Sequence, residues 1–427
     1  MTSTAFDFQP EFFKTTLSNG VRVVTEHHPY TRAVSAAIYV TTGARDEPEE
    51  LQGMSHFIEH MVFKGTKNRS QLDIVKEIEA VGGEINAYTT KEYTCFHTTT
   101  LREHLGLSMD VLADLVTHAQ FDIADLEKEK SVVQQEIDMC AEQFEEFIFD
   151  EFFEQAYKGH SLSHNILGTT ETLKNLDQSN VLDYYKNVYG GQNMIVAVSG
   201  CVNHKDVVDI VERIFGPQKK HKEIIRKQPS FNTFKKFIPK TTEQMHLLFG
   251  FPVSSFKDQY RFESFIVNAL LGGGMTSRLY QNIREEKGWV YSVYSYLHNF
   301  TDAGLMMFYA ATTKDLYQTV YDEMLKEIYK VKDNGITKEE LESFKMQVKG
   351  QILLGADDIE NRMNSIAVNE MVFQTYRPVE DTIASIEAVS VESIHQFLET
   401  YFKPDKMGLN LLGLQDPDEV QAWFNKI

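Results

Sequence analysis

Cysteine is scarce in this chain, with three residues, Cys95, Cys140 and Cys201, in 427. They are odd in number and far apart, so they spell neither a metal-binding pair nor a disulfide framework, and buried reduced thiols are expected. Positive charge is also short: 42 Lys and Arg face 62 Asp and Glu, a formal net charge of −20. Phosphate is gripped by basic faces, so the balance argues against nucleic acid as a partner. If part of the acidity lines a cavity, it favours basic peptides. No apolar run reaches the roughly 18 residues that a membrane-spanning helix needs, so no membrane partner is expected. The opening "MTSTAFDFQPEFFK" has no basic n-region and no apolar h-region, and is acidic where a transit peptide is basic. A cytoplasmic protein is expected, or a mature form whose address has been removed.

The length suits two domains of about 200 residues each. "YYKNVYGGQNMIVAVSG" (184–200) and "FLETYFKPDKMGLNLLG" (397–413) follow one plan: a helix end, a short loop, then an apolar strand closing on glycine. Met194 matches Met407 and Gly200 matches Gly413 without a gap, at an offset of 213. A polar turn and a helix follow in both, "HKDVVDIVERIFG" and "DPDEVQAWFNKI". Such a match at half the length signals internal duplication. Residues 217–240 carry three prolines and a cluster of lysines and read as a solvated linker between domains at 1–216 and 241–427.

Each half mixes strands and helices. "VRVVTEH", "AVSAAIYVTTG" and "CFHTTTL" have the β-branched and aromatic content of strands. "SQLDIVKEIEAVGG" has apolar residues at helical spacing and a Gly-Gly stop. Helical patterns dominate 105–186 and 314–402. The expectation is an α+β fold of two homologous halves, each a mainly antiparallel sheet with helices packed on it.

The stretch "GMSHFIEHMVFKGT" carries His56, Glu59 and His60. On an α-helix, residues at i, i+3 and i+4 share one face, so both imidazoles can reach one ion with Glu59 beside them. Two imidazoles and a carboxylate with an open fourth position make a catalytic zinc set. The motif leaves Glu59 free, so the third ligand must come from elsewhere. Two solvated histidines on a surface helix are the bland alternative. Against it, Met54, Phe57, Ile58, Met61, Val62 and Phe63 surround them, and buried polar side chains need partners. Farther on, "LEKEKSVVQQEI" places Glu129 and Glu136 seven apart. That is close to two turns, so they share a face, as they also would on an ordinary amphipathic helix.

Taken together, "HFIEH", 75 intervening residues and Glu136 resemble the inverted zinc motif of the pitrilysin-type (M16) metallopeptidases, in particular their processing-peptidase branch. The resemblance implies that His56, His60 and Glu136 bind Zn2+, that Glu59 is the general base and that Glu129 supports the site from behind. "GGEINAYTTKEYTCFHTTTL" is similar to the family's active-site edge strand, which implies substrate contacts for Asn86 and Ala87. "HSLSHNILGTTETL" resembles a structural loop of the family, with Ser and His at less common positions. "LGGGMTSRLYQNIREEKGWVYSVYS" resembles its glycine-rich turn followed by an Arg and a Tyr, here Arg284 and Tyr291. Shifting 56, 59 and 60 by the repeat offset lands on Ala269, Gly272 and Gly273, so the second half lacks the ligands. The implied fold is of the LuxS/MPP-like metallohydrolase type.

The resemblance implies a zinc endopeptidase that hydrolyses unfolded peptides or short extended segments inside a closed chamber. Arg284 and Tyr291 would assist the oxyanion, and the edge strand would hold the peptide by β-augmentation. Relatives with four such halves imply that two chains combine here, as a homodimer or as a heterodimer with a related subunit. The alternatives are a non-catalytic partner subunit of a processing peptidase, and a module that captures basic peptides without cutting them.

Overall fold

Along "AVSAAIYV" (33–40) successive side chains turn to opposite faces. Val34, Ala36, Ile38 and Val40 enter one core, and Ala37 and Tyr39 enter another behind it. A strand that is apolar on both faces must be covered on both, and that requirement organises the whole chain. The structure is a computed structural model describing residues 10–218, 220 and 223–427.

The first sheet contains β1 (Glu11–Thr16), β2 (Arg22–His27), β3 (Ala33–Val40), β4 (Glu84–Thr89), β5 (Thr94–Leu101) and β6 (Met194–Gly200). Their order across the sheet is β1-β2-β6-β3-β5-β4. All neighbours are antiparallel except β2 and β6. The second sheet contains β7 (Phe234–Pro239), β8 (Met245–Pro252), β9 (Val290–Asn299), β10 (Gly304–Thr312) and β11 (Gly408–Gly413), in the order β7-β11-β8-β10-β9. Here only β7 and β11 run parallel. With β1 set aside, the two sheets match strand for strand. The 213 offset lays β6 over β11, with Met194 starting β6, Met407 just ahead of β11, and Gly200 and Gly413 ending the two strands. Gly200 and Gly413 take φ of 127° and 153°, and a Cβ would lie 2.4 Å from Ala33 O or from Met245 Sδ. Strand β7 occupies the end of the lysine-rich stretch 217–240. It is an edge strand, where lysines block further pairing.

The helices lie where the periodicity places them. Gln71–Glu79 starts with a Ser70/Asp73 capping box and is followed by Gly82 at φ 72°. Cys95 is buried, whereas Cys140 and Cys201 are only partly so, and no disulfide joins them. Among the described residues no helix is long and apolar enough to cross a membrane.

The chain folds as two compact units that trade segments. One comprises residues up to 137, 164–226 and 354–377; the other comprises 138–163, 227–353 and 378–427. Helix Phe144–Ala156, from the first half of the sequence, covers one face of the second sheet. Its Ile148, Phe152 and Phe153 pack with Leu248, Met307, Tyr309 and Leu412. Helix Ile359–Phe373, from the second half, covers the equivalent face of the first sheet. Its Met363, Ile366 and Ala367 pack with Val24, Ala37, Tyr39, Cys95, Ile195 and Ala197. It also carries Arg362, which donates to both oxygens of Glu26 on β2 at 2.7 and 2.6 Å. Tyr376 and His28 complete the shell around that carboxylate at 3.0 and 2.7 Å. Glu26 is 0% exposed. Burial opposes its charge, but the hydrogen bonds from Arg362 and His28 prevail and hold it down at about 2.

Candidate metal centre

Helix Met54–Val62 presses Met54, Phe57, Ile58, Met61 and Val62 into the core of the first unit. That fixes its rotation and leaves His56, Glu59 and His60 on the opposite face. Its start is unusual. Gly53, the N-cap, sits at φ 90° and has no side chain to satisfy the first N–H groups. Glu47 does so from outside the helix. It is buried, and its two oxygens accept from Gly53 N at 2.7 Å and Ser55 N at 2.6 Å. Burial lifts this carboxyl to about 7 despite those bonds.

The second helix of the site, Ile123–Glu142, presents Glu129 and Glu136 from one face. Glu136 Oε2 lies 3.7 Å from His56 Nε2 and 3.6 Å from His60 Nε2. One ligand atom from each of His56, His60 and Glu136 falls within 4.8 Å of the other two; among the described residues no other such His/Cys/Asp/Glu group occurs. Ligands at 2.0–2.2 Å from a tetrahedral ion stand about 3.4 Å apart, so the spacing fits with little movement. Glu136 Oε2 is also a buried acceptor without a hydrogen-bond partner. Such an atom calls for a donor or a cation. The set of two imidazoles and a carboxylate suits zinc.

Glu129, 3% exposed, lies behind His60. It accepts from His60 Nδ1 at 2.8 Å and from Lys64 Nζ at 2.6 Å. The contact fixes the ring and leaves Nε2 for an ion, the usual arrangement behind a ligating histidine. Burial opposes the charge on Glu129, but the bonds from His60 and Lys64 outweigh it and hold the carboxyl below its ordinary value. Burial also pulls His60 down, and there the Glu129 bond and the nearby carboxylates win and raise it. His56 has no such support: burial, with His60 beside it, lowers it to about 3. His56 is therefore a neutral imidazole at pH 7, the form that binds metal.

Glu59 is not part of the ligand cluster. Burial raises it above the ordinary carboxylate value. Its Oε2 accepts from Thr89 Oγ1 at 2.5 Å. Thr89 ends β4, the last strand of its sheet, and among the described residues no strand pairs with its outer edge. Asn86 and Ala87 lie on the same strand, with Asn86 Oδ1 accepting from Ala87 N at 2.8 Å. Arg284 and Tyr291 belong to the second unit. Arg284 lies in the π-helical turn Tyr280–Glu286, 5.0 Å over the Tyr280 ring, and Tyr291 is 59% exposed on the edge strand β9. Ala269 and Gly272 fall on helix Arg261–Gly272. A Cβ at Gly272 would lie 2.3 Å from Ser295 N on β9, so that helix closes directly on its edge strand and leaves no room for a glutamate.

Three site residues were not singled out from the sequence: Glu47, Lys64 and Thr89. Lys64 follows His60 by one helical turn, a spacing that could have flagged it. Strand alternation from Ile85 and Ala87, which pack into the core beneath the helix, puts Thr89 on the helix side. Glu47 lies in a loop and gives no periodic signal.

Residues 22–170 match the family described as insulinase (peptidase family M16), and residues 175–348 match the peptidase M16 inactive domain. An uncharacterized zinc protease of Bacillus subtilis, YmxG, is 35% identical over 391 residues, spanning 91% of this chain and 95% of that protein. An uncharacterized zinc protease of Mycobacterium leprae is 34% identical over 409 residues, spanning 92% and 91%. A protease from Helicobacter pylori has a similar crystal structure, with a TM-score of 0.88 at 21% identity, covering 95% of this chain and 100% of that one. A peptidase M16 inactive domain from Pseudomonas fluorescens gives 0.88 at 16%, covering 95% and 98%.

Proposed function

The chain belongs to peptidase family M16, and from that premise we propose that it is a zinc-dependent endopeptidase of unfolded peptides and short extended segments. The convergence of His56, His60 and Glu136 on one point, with Glu59 beside it, carries this reading. The relatives' names support zinc as the ion. His56, His60 and Glu136 would hold it. Zinc, when bound, supplies Lewis-acid polarisation of water and of the scissile carbonyl. Glu59 takes a proton from the attacking water at Oε1, the oxygen not engaged by Thr89, and returns it to the departing amine. Its raised proton affinity suits both halves of that task. The outer edge of β4 would align the peptide through its backbone, with Asn86 and Ala87 in contact. Backbone recognition of that kind requires an extended substrate, and the net charge of −20 favours basic ones.

Metal analysis combined with a panel of quenched-fluorescent peptides, acidic and basic, tests the reading on wild type and Glu59→Gln. Both proteins should hold zinc, only wild type should cut, and basic peptides should be cut faster at low salt. Near-wild-type turnover by Glu59→Gln, or zinc-loaded wild type that cuts nothing, overturns the proposal.

A further inference from the structure

Glu59 is a half-buried side chain with several rotatable bonds, and among the described residues one hydrogen bond restrains its carboxylate, the 2.5 Å bond from Thr89. A general base must meet its water in one geometry. A glutamate with no tether spreads over several staggered rotamers.

Thr89 is itself held from three sides. Its backbone pairs with Thr94 across the β4–β5 hairpin. Thr94 is buried, and its hydroxyl donates to Thr42 O at 3.0 Å. The turn beyond is closed by Thr90 N to Tyr93 O at 2.8 Å, with the Thr90 hydroxyl accepting from Glu92 N and Tyr93 N at 3.2 and 3.0 Å. The hydroxyl therefore projects from a rigid hairpin whose other strand edge faces outward.

We propose that Thr89 is a positioning residue: it holds the Glu59 carboxylate by Oε2, leaves Oε1 free for the attacking water, and ties the base to the strand on which the peptide is laid. The distance from base to scissile bond is then set within one strand, three residues from Asn86. The inference rests on the endopeptidase reading above and adds a residue to it. A threonine at an edge strand also serves β-propensity and the satisfaction of a half-buried carboxylate, and the test separates these roles from positioning.

Thr89→Val keeps the shape and the β-branch but removes the donor. Its kcat should fall about 10- to 100-fold, the scale of a misplaced reacting group. KM, zinc content and the thermal midpoint should stay at wild-type values. Thr89→Ser restores the hydroxyl and should recover most of the lost kcat. In a Glu59→Gln background, Thr89→Val should lower the residual rate no further and should leave peptide affinity, read by fluorescence anisotropy, unchanged. A Thr89→Val kcat within twofold of wild type, a serine variant as poor as the valine, or loss of zinc along with rate would each overturn the assignment. Wild type that does not hydrolyse, or active Glu59→Gln, would instead sink the parent reading, and the role of Thr89 would fall with it.

Discussion

Replacing Glu26 by glutamine should loosen the helix Ile359–Phe373 from the first sheet. A carboxylate held at about 2 rather than at its ordinary 4.5 contributes about 3 kcal/mol at neutral pH, taking about 1.4 kcal/mol per tenfold change in proton affinity. The glutamine also leaves Arg362, buried on the same helix, facing a neutral acceptor, and breaking such a pair costs about 3–5 kcal/mol. Because the folded pKa is depressed, the Glu26 contribution is complete above the unfolded value and drains away as pH falls from about 4.5 towards about 2. Tryptophan fluorescence is a poor probe here, since Trp289 and Trp423 both belong to the second unit. Hydrogen exchange followed by mass spectrometry on peptides from 22–27 and 359–373 reports the right place. After correction for intrinsic rates, the opening free energy of both segments in Glu26→Gln should be lower by about 3 kcal/mol at pH 7. It should also fall less steeply with acid than in wild type. Opening energies within about 0.5 kcal/mol of wild type at pH 7, or equal acid slopes, would refute the argument.

Alanine at His56, His60 or Glu136 should strip zinc, whereas Glu129→Ala should weaken it by about 10- to 100-fold; chelator competition reads both, and the reverse ranking would exchange the two glutamates. Glu47→Leu leaves the N–H groups of Gly53 and Ser55 buried without acceptors, at about 1–3 kcal/mol each. A thermal midpoint and zinc affinity matching wild type would show that Glu47 does not set the start of the ligand helix. Arg284 and Tyr291 are expected to act on the site of a second copy. Glu59→Gln and Tyr291→Phe chains, each nearly inactive alone, should then recover activity after subunit exchange. No recovery despite proven exchange argues for action within one chain.

Much of the site was legible because helical and strand periods are local. Residues 56, 59 and 60 must share a face on any helix, and 129 and 136 must do so on another. The apolar flank of "HFIEH" settles which way the first helix turns. The strands of β3 and β5, and the repeat at β6 and β11, show in their composition for the same reason. Pairings set by topology were not legible. The apolar residues of 144–156 and 359–373 tell that these helices are packed against something but not which sheet they cover. Lysines in "FKKFIP" read as solvated linker because an edge strand and a linker expose them equally. Alternation tells which side of β4 Thr89 takes but not that it meets Glu59, and no period brings Glu47 to Gly53 and Ser55.

The traded helices impose an order on synthesis. The first sheet is complete in sequence once β6 has emerged, yet the face lined by Val24, Ala37, Tyr39, Cys95 and Ile195 waits for residues 359–373. The first unit is not whole until residue 377 of 427 has been made. Between residues 226 and 377 a ribosome working at about 5–20 residues per second spends about 8 to 30 s. A first sheet that forms within that interval has the residues that cover the face bearing helix Met54–Val62 but not those that cover the other face. The helix that completes the scaffold beneath His56, Glu59 and His60 is therefore among the later parts of the chain to be made.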